Sequence, residues 1–446
     1  MRMSYEEAVT TSAANKLAKW PRRGEDSRLE PVAEPSFKTT IRIAPGGQVM
    51  TMGSCFARNI EAYFAASGYD VPVNRFVVPA DEQSTSAPEG VLNKYTVASI
   101  TQELEWVATV KADGGNVEWR HIEPLILRNG ENACFDLQLK SDKWVSQERA
   151  LERRQQIYDV HVKFFGCDLA VLTPGLTEGW FDTATGLYIQ DMPTRRTAAD
   201  NPGRFEFRVQ HFPECLDMLE RAVAILTDHG KSQILMTVSP VPLARTMTSK
   251  DVLVANTYSK STLRSAIGYL TERNDIVQYL PSYEKITLSR ESNMWRDDLR
   301  HVADAFVGGI VSTFAQECSA PLTTGVGDIL ALHADYENGD LDEAYRKLLG
   351  LPQSVLDTDM VRFHEYAATL FVRNGDYGRA MDHVMVMQKL RPDWKKGYKF
   401  EYHVAQRMGD PERAQQAVER GVARCNGVTA EDIATLAKRI TKLLYA

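Results

Sequence analysis

Five short apolar runs alternate with helix-patterned segments between residues 45 and 318, and that alternation narrows the possible folds more than any other feature of the chain. The runs are Gln48–Met52, Val71–Phe76, Asp168–Thr173, Gln233–Val238 and Ile276–Leu280. A continuous apolar run of this length suits a strand buried on both faces. The segments between them predict helices near 94–110, 147–165, 213–229, 259–271 and 300–314. Another helix follows the first run directly, with Phe56, Ile60, Tyr63 and Phe64 on one face and Gly68 as its stop. Strands alternating with helices imply βαβ units, a mostly parallel sheet, and helices on both of its faces. Functional loops then belong at the carboxyl ends of the strands. Two stretches interrupt the rhythm, an irregular and partly β insert at 111–145 and a loop-rich one at 180–210.

From about residue 328 the pattern is helical only. Three phrases recur there, Gly339–Ala344, Gly375–Ala380 and Gly409–Ala414, with starts 36 and 34 residues apart. Each begins Gly-Asp and ends in Ala, which suits helix pairs of tetratricopeptide-like period with Gly-Asp at the turn. The domain plan is therefore a leader over 1–44, an α/β domain over 45–318, and an all-α repeat domain over 328–446. The net charge of −7 argues against a duplex nucleic-acid binder, which carries a basic stripe. No apolar stretch reaches the length of a membrane span, and Met1–Pro31 shows no signal-like apolar run. Six scattered cysteines without a CxxC pair fit neither a zinc site nor a disulfide framework, and the expectation is a reduced, cytoplasmic protein.

Three motifs can carry chemistry. The first is Gly53-Ser54-Cys55 between strand and helix, where backbone N–H groups at the helix start face a developing oxyanion and favour a thiolate. The same pair also suits a simple packed turn. The second is Asp298-Leu-Arg-His301, just before or within the first turn of the last α/β helix. A carboxylate at that spacing can hold one imidazole nitrogen and leave the other as base. The third is Thr173-Pro-Gly-Leu-Thr-Glu-Gly-Trp180, after a buried strand, where Gly175 permits a tight turn and Thr177 or Glu178 offers polar groups. Lys260 and Arg264, four residues apart on a helix, suit either an anion site or a solvated face.

These motifs resemble the GSCFA family, named for the residues Gly53 to Ala57. Further matches are Thr173–Trp180, Thr237–Pro242, Tyr258–Arg264 and Tyr279–Glu284, in order along the α/β half. That family is distantly similar to SGNH (GDSL-type) esterases and acyltransferases, which implies a three-layer α/β/α flavodoxin-like domain. In that pattern Cys55 stands where the nucleophilic serine is expected and Ser54 where an aspartate is. The resemblance further implies oxyanion roles for Gly90 or Asn93 in the second block, and for Gly175 and Thr177 in the third, where Thr replaces Asn. Asp298 and His301 match the last block.

The expectation is an acyl-transfer enzyme working through a covalent acyl-enzyme, with Cys55 or Ser54 as nucleophile, His301 as base and Asp298 orienting it. An O-acyltransferase acting on a glycan or small metabolite is expected first, with acetyl-CoA as a candidate donor and no tightly bound cofactor or metal. An esterase, or a non-catalytic glycan- or protein-binding module, are the alternatives. The helical repeats are expected to dock a protein partner or a second copy.

Overall fold

The computed structural model describes residues 2–434 apart from 25–26, 45, 67–68, 77, 80–81, 83–89, 131, 141–142, 232, 291–293, 297, 318–328, 330–331, 333–334, 337–339, 357–360, 393 and 426–427. Nine strands are present among them: β1 (Val49–Gly53), β2 (Ile126–Asn129), β3 (Ala133–Asp136), β4 (Leu169–Thr173), β5 (Glu178–Asp182), β6 (Leu187–Ile189), β7 (Phe205–Val209), β8 (Ile234–Met236) and β9 (Val277–Tyr279). Four of them form one parallel sheet in the order β1-β4-β8-β9, with Val49 beside Leu169, Ala170 beside Ile234, and Ile234 beside Val277.

The pleat sorts these strands onto two buried faces. Met50, Met52, Ala170, Leu172, Ile234 and Met236 enter one core, with Val97, Leu104, Ile157, Leu219 and Ile267 from the covering helices. Val49, Leu169, Val171 and Leu235 enter the other, with Phe56, Ile60, Phe64, Val307, Ile310 and Phe314. The helices concerned are Cys55–Ala66, Val97–Ala112, Gln147–His161, Phe212–Asp228, Val252–Thr271 and Asp304–Glu317. The molecule is thus α/β with a parallel central sheet, followed by a helical region.

Two expectations are corrected. Val71–Phe76 is no strand: Pro72–Arg75 forms a 3₁₀ turn, and the chain pairs beside β1 through an isolated parallel bridge between Asp70 and Gln48. Pro72 has no N–H to donate, which ends the ladder there. The leader assigned to 1–44 also ends early. Phe37, Thr39, Ile41 and Ile43 are buried while Lys38, Thr40, Arg42 and Ala44 are exposed. This extended segment is held by side chains in place of a strand ladder: the Arg42 N–H donates to Gln233 Oε1 at 2.7 Å, and Thr39 Oγ1 donates to Gln278 Oε1 at 2.5 Å.

Helix boundaries shift as well. The helix expected from 259 starts at Val252, because Asp251 caps it by accepting the Leu253 N–H, and the last α/β helix starts at Asp304. The insert at 111–145 contains the β2–β3 hairpin, and the one at 180–210 is an antiparallel β6-β5-β7 sheet that begins at Glu178.

In the helical region Asp376 and Asp410 cap helices Tyr377–Leu390 and Pro411–Arg424, accepting the N–H three residues on, and Asp340 does the same for Leu341–Gly350. Gly375 and Gly409 take φ of 76° and 73°, the left-handed turn that ends the preceding helix. Gly339 and Cys318 lie outside the described residues. Ala344, Ala380 and Ala414 are fully buried at the helix contacts. The phrases at 375–380 and 409–414 are therefore each a stop, a cap and a close-packing position, and the described part of the first is a cap and a close-packing position. Asp410→Ala should cost about 1 kcal/mol, whereas Ala414→Leu, which overfills a buried contact, should cost about 1–3 kcal/mol. Hydrogen exchange across 411–424 reads both, and equal protection in Ala414→Leu and wild type would refute the packing role.

Candidate active site

β1 and β4 end side by side, and their ends set the geometry. A Cβ on Gly53 would lie 2.4 Å from the Thr173 carbonyl oxygen, so only glycine fits. The Ser54 N–H donates to that same carbonyl at 3.2 Å, and the helix begins at Cys55. Ser54 is buried; its Oγ donates to Ser239 Oγ at 2.9 Å and accepts the Phe56 N–H at 3.2 Å. The hydroxyl is therefore engaged in capping the helix. Cys55 is a free thiol and, unlike the other free cysteines, only half-buried. Burial pushes this thiol above its ordinary 9.0, while Arg300, Lys260 and the N–H groups of Cys55 and Phe56 pull it down. The helix start thus works as expected, but burial outweighs it.

Asp298 and His301 sit on a tight loop closed by a Trp295–Val302 bridge and by the Arg296 N–H donating to the His301 carbonyl at 2.8 Å. Leu299 at the tip has φ of 53°, a left-handed conformation uncommon for leucine. Asp298 accepts the N–H groups of Arg300 at 3.0 Å and His301 at 2.9 Å, and lies 2.5 Å from His301 Nδ1. These bonds hold its carboxyl well below the usual range, the His301 backbone contributing most. With Nδ1–H given to Asp298, the tautomer inferred from this network leaves Nε2 as the basic nitrogen. Cys55 and Trp295 both pack against the core that holds Met294 and Val302, and Arg300 of the loop is among the charges that act on the thiol.

The remaining expected residues meet through backbone bonds. Gly175 and Leu176 donate to the Tyr95 carbonyl at 2.9 Å each, Thr177 N–H donates to Ser259 Oγ at 2.8 Å, and Asn93 N–H donates to the Gly90 carbonyl at 2.9 Å. The backbone donors of Gly175, Thr177 and Asn93 are therefore occupied and not directed at an oxyanion. Two side-chain atoms are not occupied: Asn93 Oδ1 and Thr177 Oγ1 are buried without a partner. Buried polar atoms without partners are uncommon, and here two fall on predicted site residues. Asn93 Nδ2 donates to Tyr95 OH at 3.2 Å; since amide O and N are interchangeable by a flip, the free end can equally be the donor. Glu178 accepts a bond from Thr246 Oγ1 at 2.8 Å.

The GSCFA family model matches residues 48–314, the stretch that carries these motifs. The chain belongs to the GSCFA family. No curated protein and no solved structure matches it. No group of His, Cys, Asp or Glu among the described residues is arranged to hold a metal ion.

Within this GSCFA domain two residues, Tyr95 and Arg300, escaped the sequence reading, and a third, Lys260, fits neither of the two roles expected for it. Tyr95 is half-buried, and its hydroxyl is pushed up to about 12, chiefly by burial, with Cys55 among the nearby groups. Arg300, half-buried between Asp298 and His301, donates Nε–H to the Pro242 carbonyl at 3.3 Å. Lys260 is neither solvated nor open to a ligand: it is fully buried, and Nζ donates to the carbonyls of Gly175 at 2.8 Å, Ser239 at 2.7 Å and Val241 at 2.6 Å. Burial pushes this ammonium down to about 7, with Cys55 opposing and Arg300 assisting. Three acceptors need three donors, which only the ammonium has, so the geometry is that of the charged form. Arg264 pairs with Glu284 at 2.6 Å, and Tyr279 OH donates to the same carboxylate at 2.7 Å, which joins two GSCFA motifs structurally.

Lys260→Met would leave three buried carbonyls without donors, a loss of at least about 3 kcal/mol and a fall in Tm of roughly 6–12 °C for a domain of this size. Arg264→Met, at a more exposed pair, should cost about 1 kcal/mol or less. Equal melting temperatures for the two variants would remove Lys260 from its structural position.

Proposed function

We propose that this chain is an acyl-transfer enzyme with a flavodoxin-like, SGNH-type catalytic domain, Cys55 being the nucleophile. The observation that carries the reading is the contrast at the end of β1: Ser54 is buried and engaged in capping, while Cys55 is free and half-exposed at the helix start. The fold assignment draws on strand order. Counting the Asp70 bridge as a vestigial second strand gives 2-1-3-4-5, the flavodoxin-like arrangement, with the site at the carboxyl edge.

In the proposed reaction His301 Nε2 takes the Cys55 proton, and the sulfur attacks an ester or thioester carbonyl. Asn93 and Thr177 side chains, with the Cys55 N–H at the start of its helix, receive the oxyanion. The leaving group departs with the proton from His301, which leaves an acyl thioester on Cys55. An acceptor hydroxyl, on a glycan or small molecule, then attacks with His301 taking its proton; the proton returns to sulfur as the thioester bond breaks. Water in place of the acceptor would make the enzyme an esterase. Acetyl-CoA is the proposed donor. The free state of Cys55, Cys134, Cys167 and Cys215 fits a reducing compartment such as the cytoplasm. The capped helix pairs of the tail are read as tetratricopeptide-like repeats that dock a partner or a second copy. No helix among the described residues is long and apolar enough to cross a membrane.

Intact-protein mass after brief exposure to acetyl-CoA, and separately to p-nitrophenyl acetate, tests the reading. Wild type should gain one acetyl group that Cys55→Ala abolishes, that Ser54→Ala retains, and that His301→Ala forms about 10²–10⁴-fold more slowly. Loss in Ser54→Ala with retention in Cys55→Ala would move the nucleophile by one residue. No adduct in folded wild type would leave a binding module.

The pH profile supplies a second check. Burial holds Cys55 protonated at neutral pH, its pKa lying above 9.0. Acylation of His301→Ala should therefore climb with pH and still be rising past pH 9.0, because only the thiolate reacts and no base remains to form it. A His301→Ala profile flat from neutral pH upward would contradict a raised thiol.

A further inference from the structure

The charges around Cys55 do not balance. Lys260 reaches only carbonyl oxygens, and Arg300 makes one side-chain bond, to the Pro242 carbonyl. No described carboxylate pairs with either of them. Among the described residues, three acids of this region are already engaged: Asp298 by His301, Asp191 by Lys140 at 2.7 Å, and Glu178 by Thr246. A buried or half-buried guanidinium normally finds a carboxylate or phosphate that matches its fork. Arg300 is anchored through Nε to the same Ser239–Pro242 loop that Lys260 clamps and that Ser239 ties to Ser54, next to Cys55. The anchoring bond uses Nε and leaves the terminal nitrogens without a partner among the described residues. The two unpartnered buried atoms, Asn93 Oδ1 and Thr177 Oγ1, belong to the same loop cluster.

We propose that the substrate reacting at Cys55 carries an anionic group, a carboxylate or a phosphate, which the Arg300 guanidinium receives as a two-pronged partner in the field of Lys260. The inference rests on Cys55 being the reacting centre and adds the substrate class to it. It also accounts for Arg300 standing between Asp298 and His301: the residue that binds the anion and the residue that moves the proton share one tight loop. A neutral substrate would leave both cations uncompensated and the guanidinium fork unused.

Alkylation separates this claim from acyl transfer. Iodoacetate and iodoacetamide react alike, the Cys55 thiolate displacing iodide as the S–C bond forms and the thiol proton passing to solvent or His301. They differ in charge. The ratio of their rates at Cys55, located by peptide mapping and referred to the same ratio for glutathione, cancels the thiolate fraction and reports anion recognition alone. Wild type should favour iodoacetate by about tenfold or more over glutathione's ratio. Arg300→Gln should return the ratio to that of glutathione, and Arg300→Lys should keep part of the preference through charge without the fork. In wild type, protection of Cys55 from iodoacetamide by inorganic phosphate would identify a phosphate-bearing substrate, and protection by acetate a carboxylate-bearing one. A wild-type ratio equal to glutathione's, a ratio unchanged in Arg300→Gln, or protection by neither anion would overturn the proposal. If the iodoacetate preference holds but no acetyl adduct ever forms, the anion site stands and the acyl-transfer reading falls.

Discussion

One buried ammonium organises the carboxyl edge of the sheet. Lys260 reaches from the helix Val252–Thr271 to carbonyls on the loop after β4 and the loop after β8, and its neighbour Ser259 takes the Thr177 N–H. Two loops joined beyond the strands by the Ser239 N–H donating to the Pro174 carbonyl at 2.9 Å are thereby also fixed to a single helical turn. An isolated charge would not survive such burial, and three carbonyl dipoles are what make it tolerable. The loops are also crowded. A Cβ on Gly175 would approach Ser239 Cβ at 3.3 Å and Ser54 Cβ at 3.6 Å, so the small residues around the Lys260 clamp let three backbone segments close to contact distance beneath the thiol.

A second buried cation holds the opposite wall. Lys94 lies between Asn93 and Tyr95; its N–H donates to the Gly53 carbonyl at 2.7 Å, and its Nζ meets Glu103 at 2.7 Å and the Gln138 carbonyl at 2.7 Å. Glu103 also meets His161 at 3.0 Å and Arg154 at 3.5 Å, and Arg154 forks onto Asp136 at 2.6 Å through two nitrogens. The neighbouring cations drag the Glu103 carboxyl well below its ordinary value against the effect of burial, Lys94 contributing most among them. Networks of this kind add little net stability over an apolar core, yet removing one member strands the others. What the network supplies here is placement: a chain segment that carries two polar site residues cannot drift, because its middle residue is anchored on both sides of the core.

The parts of this design legible in the sequence are those written in local pattern. Apolar runs located β1, β4, β8 and β9 to within a residue or two, and the recurring Gly-Asp and Ala marked turns, caps and close contacts in the tail. Gly53-Ser54-Cys55 was readable because a strand stop and a helix start adjoin there, and Asp298 with His301 because their bond spans three residues. What stayed hidden depends on partners far along the chain. Lys260 looks like any helix-surface lysine until the carbonyls of residues 175, 239 and 241 surround it. Arg300 carries no mark of its own, since its anchor is 58 residues away. Val71–Phe76 failed as a strand because one proline outweighs five residues of suitable composition. The alternation of Phe37, Thr39, Ile41 and Ile43 was present to be found, but the glutamines that secure it lie at 233 and 278.

The arrangement of charge gives the site its direction. At rest the thiol is neutral, two cations face it, and an ionised Asp298 backs the imidazole. In the proposed reaction, moving the Cys55 proton to His301 would create one negative and one positive charge. The negative one forms on sulfur, where Arg300 and Lys260 lower its cost; the positive one forms on the ring, where Asp298 does. Opposite charges are thus each met by a group of opposite sign already fixed in place, so little reorganisation is required when the proton moves. The raised thiol of the free protein is not in conflict with this. A buried, protonated cysteine is protected from indiscriminate oxidation and alkylation, and in the proposed reaction the same preset charges would lower the cost of moving its proton.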